Sequence, residues 1–330
     1  MTSGRLVRAL VGGLVIVVVA VMLRFDALAL APRPLVLYAG TWSPDRDPSY
    51  GSYLGAVKRL RPDLPSFAIF EFLGLPDDDD PAGERILAAA IKARHPALVI
   101  APTGAAAIAM HKVAPTVPCI FASYVDPVRS GIVASMRARR EPVTGISVAD
   151  WLDGKRLEIL HEAYPSVRSI AVVGDHAWEE NFDGSARLPV EAAHLGLRAT
   201  VFLADSEAQL LALMDDPASR NFDAWYFPPT YVEYVGNALL IRRLRQWGKP
   251  AIFPTTEEVR DGALMSYAQD TAFVWPMLAE LTARVLEGES PGSIPIVRPQ
   301  RFVLAVRTGA DIGLSPPDIV VVRRADIVVR

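Results

Sequence analysis

An alternation of strand-like and helix-like segments starts afresh near the middle of the chain, and nothing else in the sequence limits the fold as strongly. Val143-Thr144-Gly145-Ile146-Ser147 reads as a short apolar strand. The next segment, Asp150-Trp151-Leu152-Asp153-Gly154-Lys155-Arg156-Leu157-Glu158-Ile159-Leu160, reads as a helix, with Asp150 at its N-cap and Leu157, Leu160 and Tyr164 at helical spacing. Ser169-Ile170-Ala171-Val172-Val173-Gly174 is then a continuous apolar run of the kind buried on both faces of a parallel sheet. A second α/β lobe therefore begins here.

The preceding segments supply the first lobe. Strands are expected at Leu35 to Ala39, Phe67 to Phe72, Ala97 to Ala101 and Pro118 to Ala122, with helices near Ser52 to Leu60, Ala82 to Ala93 and Ala105 to Val113. The second half repeats the pattern with strands at Ser169 to Gly174, Arg198 to Leu203, Asp223 to Phe227 and Pro250 to Phe253. Its helices are expected near Trp178 to Leu195, Ser206 to Met214 and Val232 to Trp247. Such alternation predicts an α/β fold of two doubly wound parallel-sheet lobes with a cleft between them. The 330 residues suit two units rather than one. A net charge of −3 gives no reason to expect a polyanionic partner, so nucleic-acid binding is not expected.

After Ala263 to Asp270 come a helical segment to Glu287, a Pro- and Gly-spaced stretch from Gly288 to Pro299, and a strand from Arg301 to Val306. The last residues, Asp318 to Arg330, stay open: Ile319-Val320-Val321-Val322 reads as strand by propensity alone. The whole pattern after residue 31, and above all Val143 to Leu160 and Gly262 to Val306, resembles the bacterial ABC-transporter substrate-binding proteins of the type I periplasmic binding fold. The resemblance is to the branch whose better-known members bind amino acids, often tryptophan. The resemblance implies three hinge crossings, near Ser147, near Gln269 and within Ile294 to Pro299. It further implies one lobe made of residues 33–146 plus 269–296 and another of 147–268 plus 297–330.

The amino terminus predicts export. Arg5 and Arg8 precede an apolar run from Ala9 to Leu23, ended by Arg24 and Asp26, and Ala27-Leu28-Ala29-Leu30-Ala31 offers small residues at signal-peptidase spacing. The run of about 15 residues is shorter than the roughly 20 that span a bilayer as a helix, so residues 1–31 are read as a signal peptide, or as a membrane anchor if uncleaved. Cys119 is the only cysteine and lies in an apolar run, so there is no disulfide framework and no amino-terminal lipid attachment point. Asp77-Asp78-Asp79-Asp80 lacks the alternating ligands of a calcium loop and reads as a solvated loop before a helix. The expected location is the periplasm.

Motifs for catalysis are missing: there is no Gly-x-Ser-x-Gly elbow, phosphate loop, dinucleotide fingerprint or His-Glu-x-x-His pair. His95, His111, His161, His176 and His194 do not pair on one helical face, so no metal is expected. His176 alone follows a strand end that would face the cleft.

Ligands of open α/β sheets sit beyond the carboxyl ends of the strands, which points to particular loops. Thr41 and Trp42 follow the first strand, where a hydroxyl can bond a polar ligand and an indole can stack. Thr103 and Gly104 open a helix whose free N–H groups can hold a carboxylate, unless Thr103 is simply the N-cap. Asp126, before Pro127, either accepts an ammonium group, as the resemblance implies, or closes an Asx turn. In the second lobe the candidates are Asp175 and Trp178, Thr230 and Tyr231, and Tyr267 near a crossing. Asp175 matches a small polar or acidic position of the resembled proteins. Pro229-Thr230-Tyr231 departs from the Asp or Asn that they usually carry there.

These readings converge on a periplasmic solute-binding protein of an ABC importer, not an enzyme. It is expected to close as a monomer on an amino acid or related compound without a cofactor, and to deliver it to an inner-membrane ABC permease. Two other classes stay open: a membrane-anchored ligand-sensing domain, and a two-lobed α/β enzyme such as a sugar transferase.

Overall fold

The computed structural model describes residues 32–41, 43–76, 80–137, 140–308 and 316–330. The signal or anchor segment, Trp42 and Asp77 to Asp79 lie outside the described residues.

The first sheet is parallel throughout and has the order β2-β1-β3-β4-β5. Its strands are β1 (Leu35–Thr41), β2 (Ile69–Leu75), β3 (Leu98–Ala101), β4 (Cys119–Ser123) and β5 (Val143–Ser147). Between them run α1 (Pro48–Leu60), the one-turn α2 (Leu64–Phe67), α3 (Ala82–Arg94) and α4 (Gly104–Val113). Phe67, expected to open the second strand, instead ends α2, because Pro65 at the start of that turn fixes a helical φ.

The rest of the chain provides α5 (Asp153–Ala163), β6 (Ser169–Gly174), α6 (His176–Phe182), α7 (Gly184–His194), β7 (Arg198–Leu203) and α8 (Glu207–Asp215). Then follow β8 (Ala224–Tyr226), α9 (Tyr231–Trp247), β9 (Ala251–Phe253), α10 (Thr256–Arg260), β10 (Met265–Gln269) and α11 (Val274–Leu286). The chain closes with β11 (Phe302–Arg307), α12 (Ile319–Arg324) and β12 (Ile327–Val329). The second sheet has the order β12-β11-β10-β9-β8-β6-β7, and only the β10–β11 pair is antiparallel. Among the described residues no helix is long and apolar enough to cross a membrane.

Both sheets are buried on two faces, which is why their strands read as unbroken apolar runs. In the first, Val36, Tyr38, Ile100, Ile120 and Ile146 pack under Tyr53, Ala56 and Val57 of α1 and under Leu278 and Leu281 of α11. On the opposite face Leu37, Val99 and Phe121 meet Leu87 of α3 and Ala106, Ala107 and Met110 of α4. A buried hydrogen bond of 2.9 Å between the Tyr53 and Thr282 hydroxyls ties α11 to α1, although 229 residues separate them.

The chain changes sheets three times, and the passages lie side by side. The Ser147 N–H donates to the Val297 carbonyl, and the Val297 N–H to the Gly145 carbonyl, both at 2.9 Å. At the end of β10 the Gln269 side chain donates to the Ala149 carbonyl at 3.2 Å. The expected fold of two parallel-sheet lobes joined by three crossings is therefore observed.

Two local expectations change, and one open reading is decided. The single helix over Trp178 to Leu195 is two helices broken at Asp183, whose φ of 49° is left-handed, with Gly184 laid directly against the Trp178 ring. Ile319–Arg324 is helix despite its β-branched residues, because the Asp318 carboxylate accepts from the Val320 N–H at 2.8 Å and Val321 is buried in the second-lobe core. Asp150 is not the N-cap of α5, which starts later, at Asp153; the Asp150 carboxylate is held by Arg156 instead.

Candidate functional site

A cavity of about 860 Å³ opens between the lobes, beyond the carboxyl ends of the strands. It is bounded by Tyr124 after β4, Asp150 after β5, Pro229 and Thr230 after β8, and Pro254 and Thr255 after β9. A neighbouring space of about 470 Å³ shares Tyr124, Asp150, Pro229, Pro254 and Thr255 and extends to Ala268–Ala272 and Val303. The cavity thus touches both lobes and reaches the crossing after Gln269.

The electrostatic character of the cavity is one-sided. Asp150, Glu233, Glu257, Glu258 and Asp261 line the larger space, and among its described lining residues there is no lysine or arginine. Arg260 reaches the neighbouring space but is engaged by Glu257 at 3.0 Å. Tyr124 and Tyr234 line the larger space while keeping 66% and 72% of their surfaces exposed, so both rings are available to a ligand.

Two helix starts place the inner carboxylates. Thr230 and Glu233 open α9, and Thr255 and Glu258 open α10, each with the Thr-x-x-Glu spacing of a capping box. In α10 the box closes: the Glu258 carboxylate accepts from the Thr255 N–H at 3.0 Å and from the Thr255 hydroxyl. In α9 only the threonine half forms, the Glu233 N–H donating to the Thr230 hydroxyl oxygen at 3.2 Å. Glu233 Oε1 is buried without a hydrogen-bond partner, and the residue is only 3% exposed. Burial, reinforced by the nearby Glu258 charge and opposed by Arg156, pushes the Glu233 carboxyl up to about 9. Burial raises Glu258 as well.

Behind this wall lies a paired network. Arg156, fully buried, donates to both Asp150 oxygens at 2.9 and 2.7 Å and to the Tyr267 carbonyl at 2.8 Å. Its remaining contacts are the Tyr226 hydroxyl at 3.3 Å and the Pro254 carbonyl at 3.4 Å. Tyr226 in turn donates to Asp153, which Arg187 also engages. Arg156 therefore fixes the ends of β9 and β10 and the segment after β5 relative to one another, and all three border the cavity.

At one side of the cleft the lobes meet through charge. Arg129, in the loop after β4, donates to Asp183 at 2.6 and 3.1 Å and to the Glu180 carbonyl at 3.1 Å. Asp183 adjoins Phe182, which lines the cavity and is met edge-on by Trp151 at 4.9 Å.

Of the residues expected from sequence, Thr230 lines the larger cavity. Thr41 and Thr103 instead line a separate space of about 320 Å³ in the first lobe, with Asp80, Glu84 and Lys112. The Thr103 hydroxyl caps α4 by accepting from the Ala106 N–H at 3.1 Å, and Gly104 lies against Val125 and Ser123. Asp126 closes an Asx turn, accepting from the Val128 and Arg129 N–H groups at 2.9 and 3.0 Å. Asp175 caps α6 through the Trp178 N–H at 2.7 Å and also accepts from the Tyr231 N–H at 3.3 Å, joining two helix starts.

Trp178 is a correction: at 2% exposure it is a core residue whose ring fills the space left by Gly174 and Gly184, so it faces no ligand. Tyr231 is 72% exposed, while Tyr267 stacks on Phe302 at 5.9 Å. His176 bonds Asp205 at 2.7 Å on the exposed surface. Sequence reasoning missed Tyr124, Asp150, Glu233, Tyr234, Asn237 and Glu258 as cavity residues. The doubled Thr-x-x-Glu pattern, not used in that reading, is a sequence signal that could have pointed to two of them, Glu233 and Glu258.

A family profile described as ABC transporter substrate binding protein matches residues 80–323. No curated protein matches the chain. Among solved structures, a conserved domain protein from Vibrio cholerae is similar over 90% of this chain and 100% of that one, with a TM-score of 0.73 and 22% identity. The ABC domain of Streptococcus pneumoniae in complex with L-Trp is similar over 89% and 100% of the two chains, with a TM-score of 0.71 and 17% identity. A ligand-free, open substrate binding protein with adhesive properties from Clostridium difficile covers 91% and 99%, with a TM-score of 0.69 and 17% identity. At these identities the likeness to the solved structures is one of fold, whereas the profile spans most of the sequence. The chain belongs to the ABC transporter substrate-binding protein family.

Proposed function

We propose that the protein is the periplasmic solute-binding component of an ABC importer, which captures an amino acid or related small molecule between its lobes and presents it to an inner-membrane permease. The observation that carries this reading is the cavity itself, walled by the strand ends of both lobes and bordered by a chain crossing. A ligand seated there contacts both lobes only when they close, so ligand binding and lobe closure are thermodynamically linked. The lobes would divide near Ser147, Gln269 and Val297, where the crossings are linked by few hydrogen bonds. The relatives solved with L-Trp and in a ligand-free, open form support both parts of the reading.

The ligand set proposed here is Tyr124, Asp150, Thr230, Glu233, Tyr234, Asn237 and Glu258. Export by residues 1–31 supplies the location, since their charge and apolar pattern is that of a signal. Native mass spectrometry of gently purified protein tests the function: a retained small molecule that raises the melting temperature when added back is expected. Chemical conversion of that molecule by the protein would count against a binding role.

A further inference from the structure

We propose that the interlobe cavity is selective for a small primary amine in its ammonium form, with Glu233 as the anchoring anion, Glu258 as a second negative wall, and the Tyr124 and Tyr234 rings as its aromatic lining. This rests on the solute-binding reading and adds the chemical class of the ligand.

Three independent observations lead there. The first is the open capping box. A glutamate three residues into a helix ordinarily turns back to the N-cap N–H, as Glu258 does toward Thr255. Glu233 stands at the same place in α9, yet its Oε1 has no partner and the side chain lines the cavity. A carboxyl oxygen buried without a partner, in a residue only 3% exposed, is costly unless something arrives to bond it. The second observation is the charge of the walls, acidic with no basic side chain among the described lining residues. A ligand whose main handle is a carboxylate finds no cationic side chain among these residues. The third is the pair of exposed tyrosines, whose ring faces attract cations. A metal ion fits less well, because among the described residues no three acidic, His or Cys side chains converge as ligands.

Protons follow from the same arrangement. The groups facing Glu233 are Glu258 from α10, which disfavours its charge, and Arg156 from α5, which favours it but is already bound by Asp150. Without ligand the Glu233 carboxyl, pushed up to about 9, holds its proton at neutral pH. An ammonium group bound beside it favours the carboxylate, so binding releases a proton to solvent. Affinity then rises with pH from 6 to 8, by at most about tenfold per unit.

Isothermal calorimetry on the full-length protein tests this with putrescine, agmatine and tyramine as amines, L-tryptophan and L-leucine as zwitterions, and indole-3-acetate as an anion. Titrations run at pH 6 and 8 in two buffers of different ionisation enthalpy. At least one amine should bind in preference to the zwitterions and the anion, with release of up to one proton. Glu233→Gln should weaken that amine by about 10- to 150-fold, the range of a charged hydrogen bond. Glu258→Gln, which leaves Glu233 in place and can still accept from Thr255, should flatten the pH dependence; its circular dichroism and that of Glu233→Gln should match the parent. Binding of L-tryptophan or L-leucine but of no amine, or amine binding that Glu233→Gln leaves unchanged, overturns the proposal while the solute-binding reading stands. If none of the six binds, the molecule retained on native protein decides: an amine supports the proposal and an acid or neutral compound refutes it. No binding together with no retained molecule overturns both.

Discussion

Removing Asp150 tests how far the cavity wall depends on its hidden cation. Arg156 is fully buried and receives most of its charge compensation from the two Asp150 oxygens at 2.9 and 2.7 Å, with a smaller share from nearby Asp153. In Asp150→Ala the guanidinium keeps neutral acceptors at the Tyr267 carbonyl, the Tyr226 hydroxyl and the Pro254 carbonyl, at 2.8, 3.3 and 3.4 Å. Burial opposes its charge, and the carboxylate that offset it is gone. Breaking one side of a buried pair costs about 3–5 kcal/mol, and the surviving acceptors argue for the lower end, about 3 kcal/mol. That corresponds to a fall in Tm of roughly 6–12 °C, using the ratio for a domain of 150–250 residues. Urea titration of ligand-free protein, followed by tryptophan fluorescence, measures the loss separately from any effect on binding. The double variant Asp150→Leu with Arg156→Met removes both charges and should recover at least half of it, because a buried pair replaced by apolar groups is often near neutral. A loss below about 1 kcal/mol for Asp150→Ala, or a double variant as unstable as the single variants summed, would refute the view that Asp150 neutralises Arg156.

Three further outcomes are expected. The raised Glu233 group stabilises fully below the ordinary glutamate range and loses that contribution as pH climbs through about 9, so wild type should lose stability relative to Glu233→Gln between pH 5 and 9. The difference should reach at most about 1.4 kcal/mol per pH unit in ligand-free denaturation curves, and parallel curves would show that the carboxyl is not perturbed. Arg129→Ala removes the link to Asp183 and Glu180 and should speed lobe opening, seen as faster ligand release in stopped flow, with an unchanged rate counting against a latch. Gly145→Ala places a methyl 2.2 Å from the Phe121 carbonyl oxygen, a backbone atom with little room to move, and should cost about 1–3 kcal/mol by urea titration.

The sequence was a good guide to the layers and a poor one to the pocket. Strand β6 sits where the apolar run Ser169 to Gly174 puts it, because a run buried on both sides has no alternative register that hides its residues. Ile319 to Val322 was ambiguous in sequence, and its strand propensity yielded to the Asp318 cap and to the burial of Val321. For the site, the rule that ligands lie beyond strand ends led to Thr230. It also led to Thr103 and Asp126, whose oxygens are taken by local helix and turn N–H groups. Glu233, Tyr234 and Asn237 lie inside α9, where a linear reading assigns them to a cap and a solvated face. That Glu233 leaves its cap unmade depends on the neighbours that tertiary structure brings, and no spacing rule encodes them.

The placement of α11 has a consequence for how the protein is made. The face of the first sheet formed by Val36, Tyr38, Ile100 and Ile120 is covered partly by residues 274–283, and the second sheet receives β11 and β12 from residues later still. A nascent chain that has yet to reach residue 274 therefore carries an incompletely covered apolar face in one lobe and an incomplete sheet in the other. Contacts of such long sequence separation form slowly, because the intervening chain must be closed before they add stability. Completion of both sheets is therefore expected to wait until synthesis is almost finished.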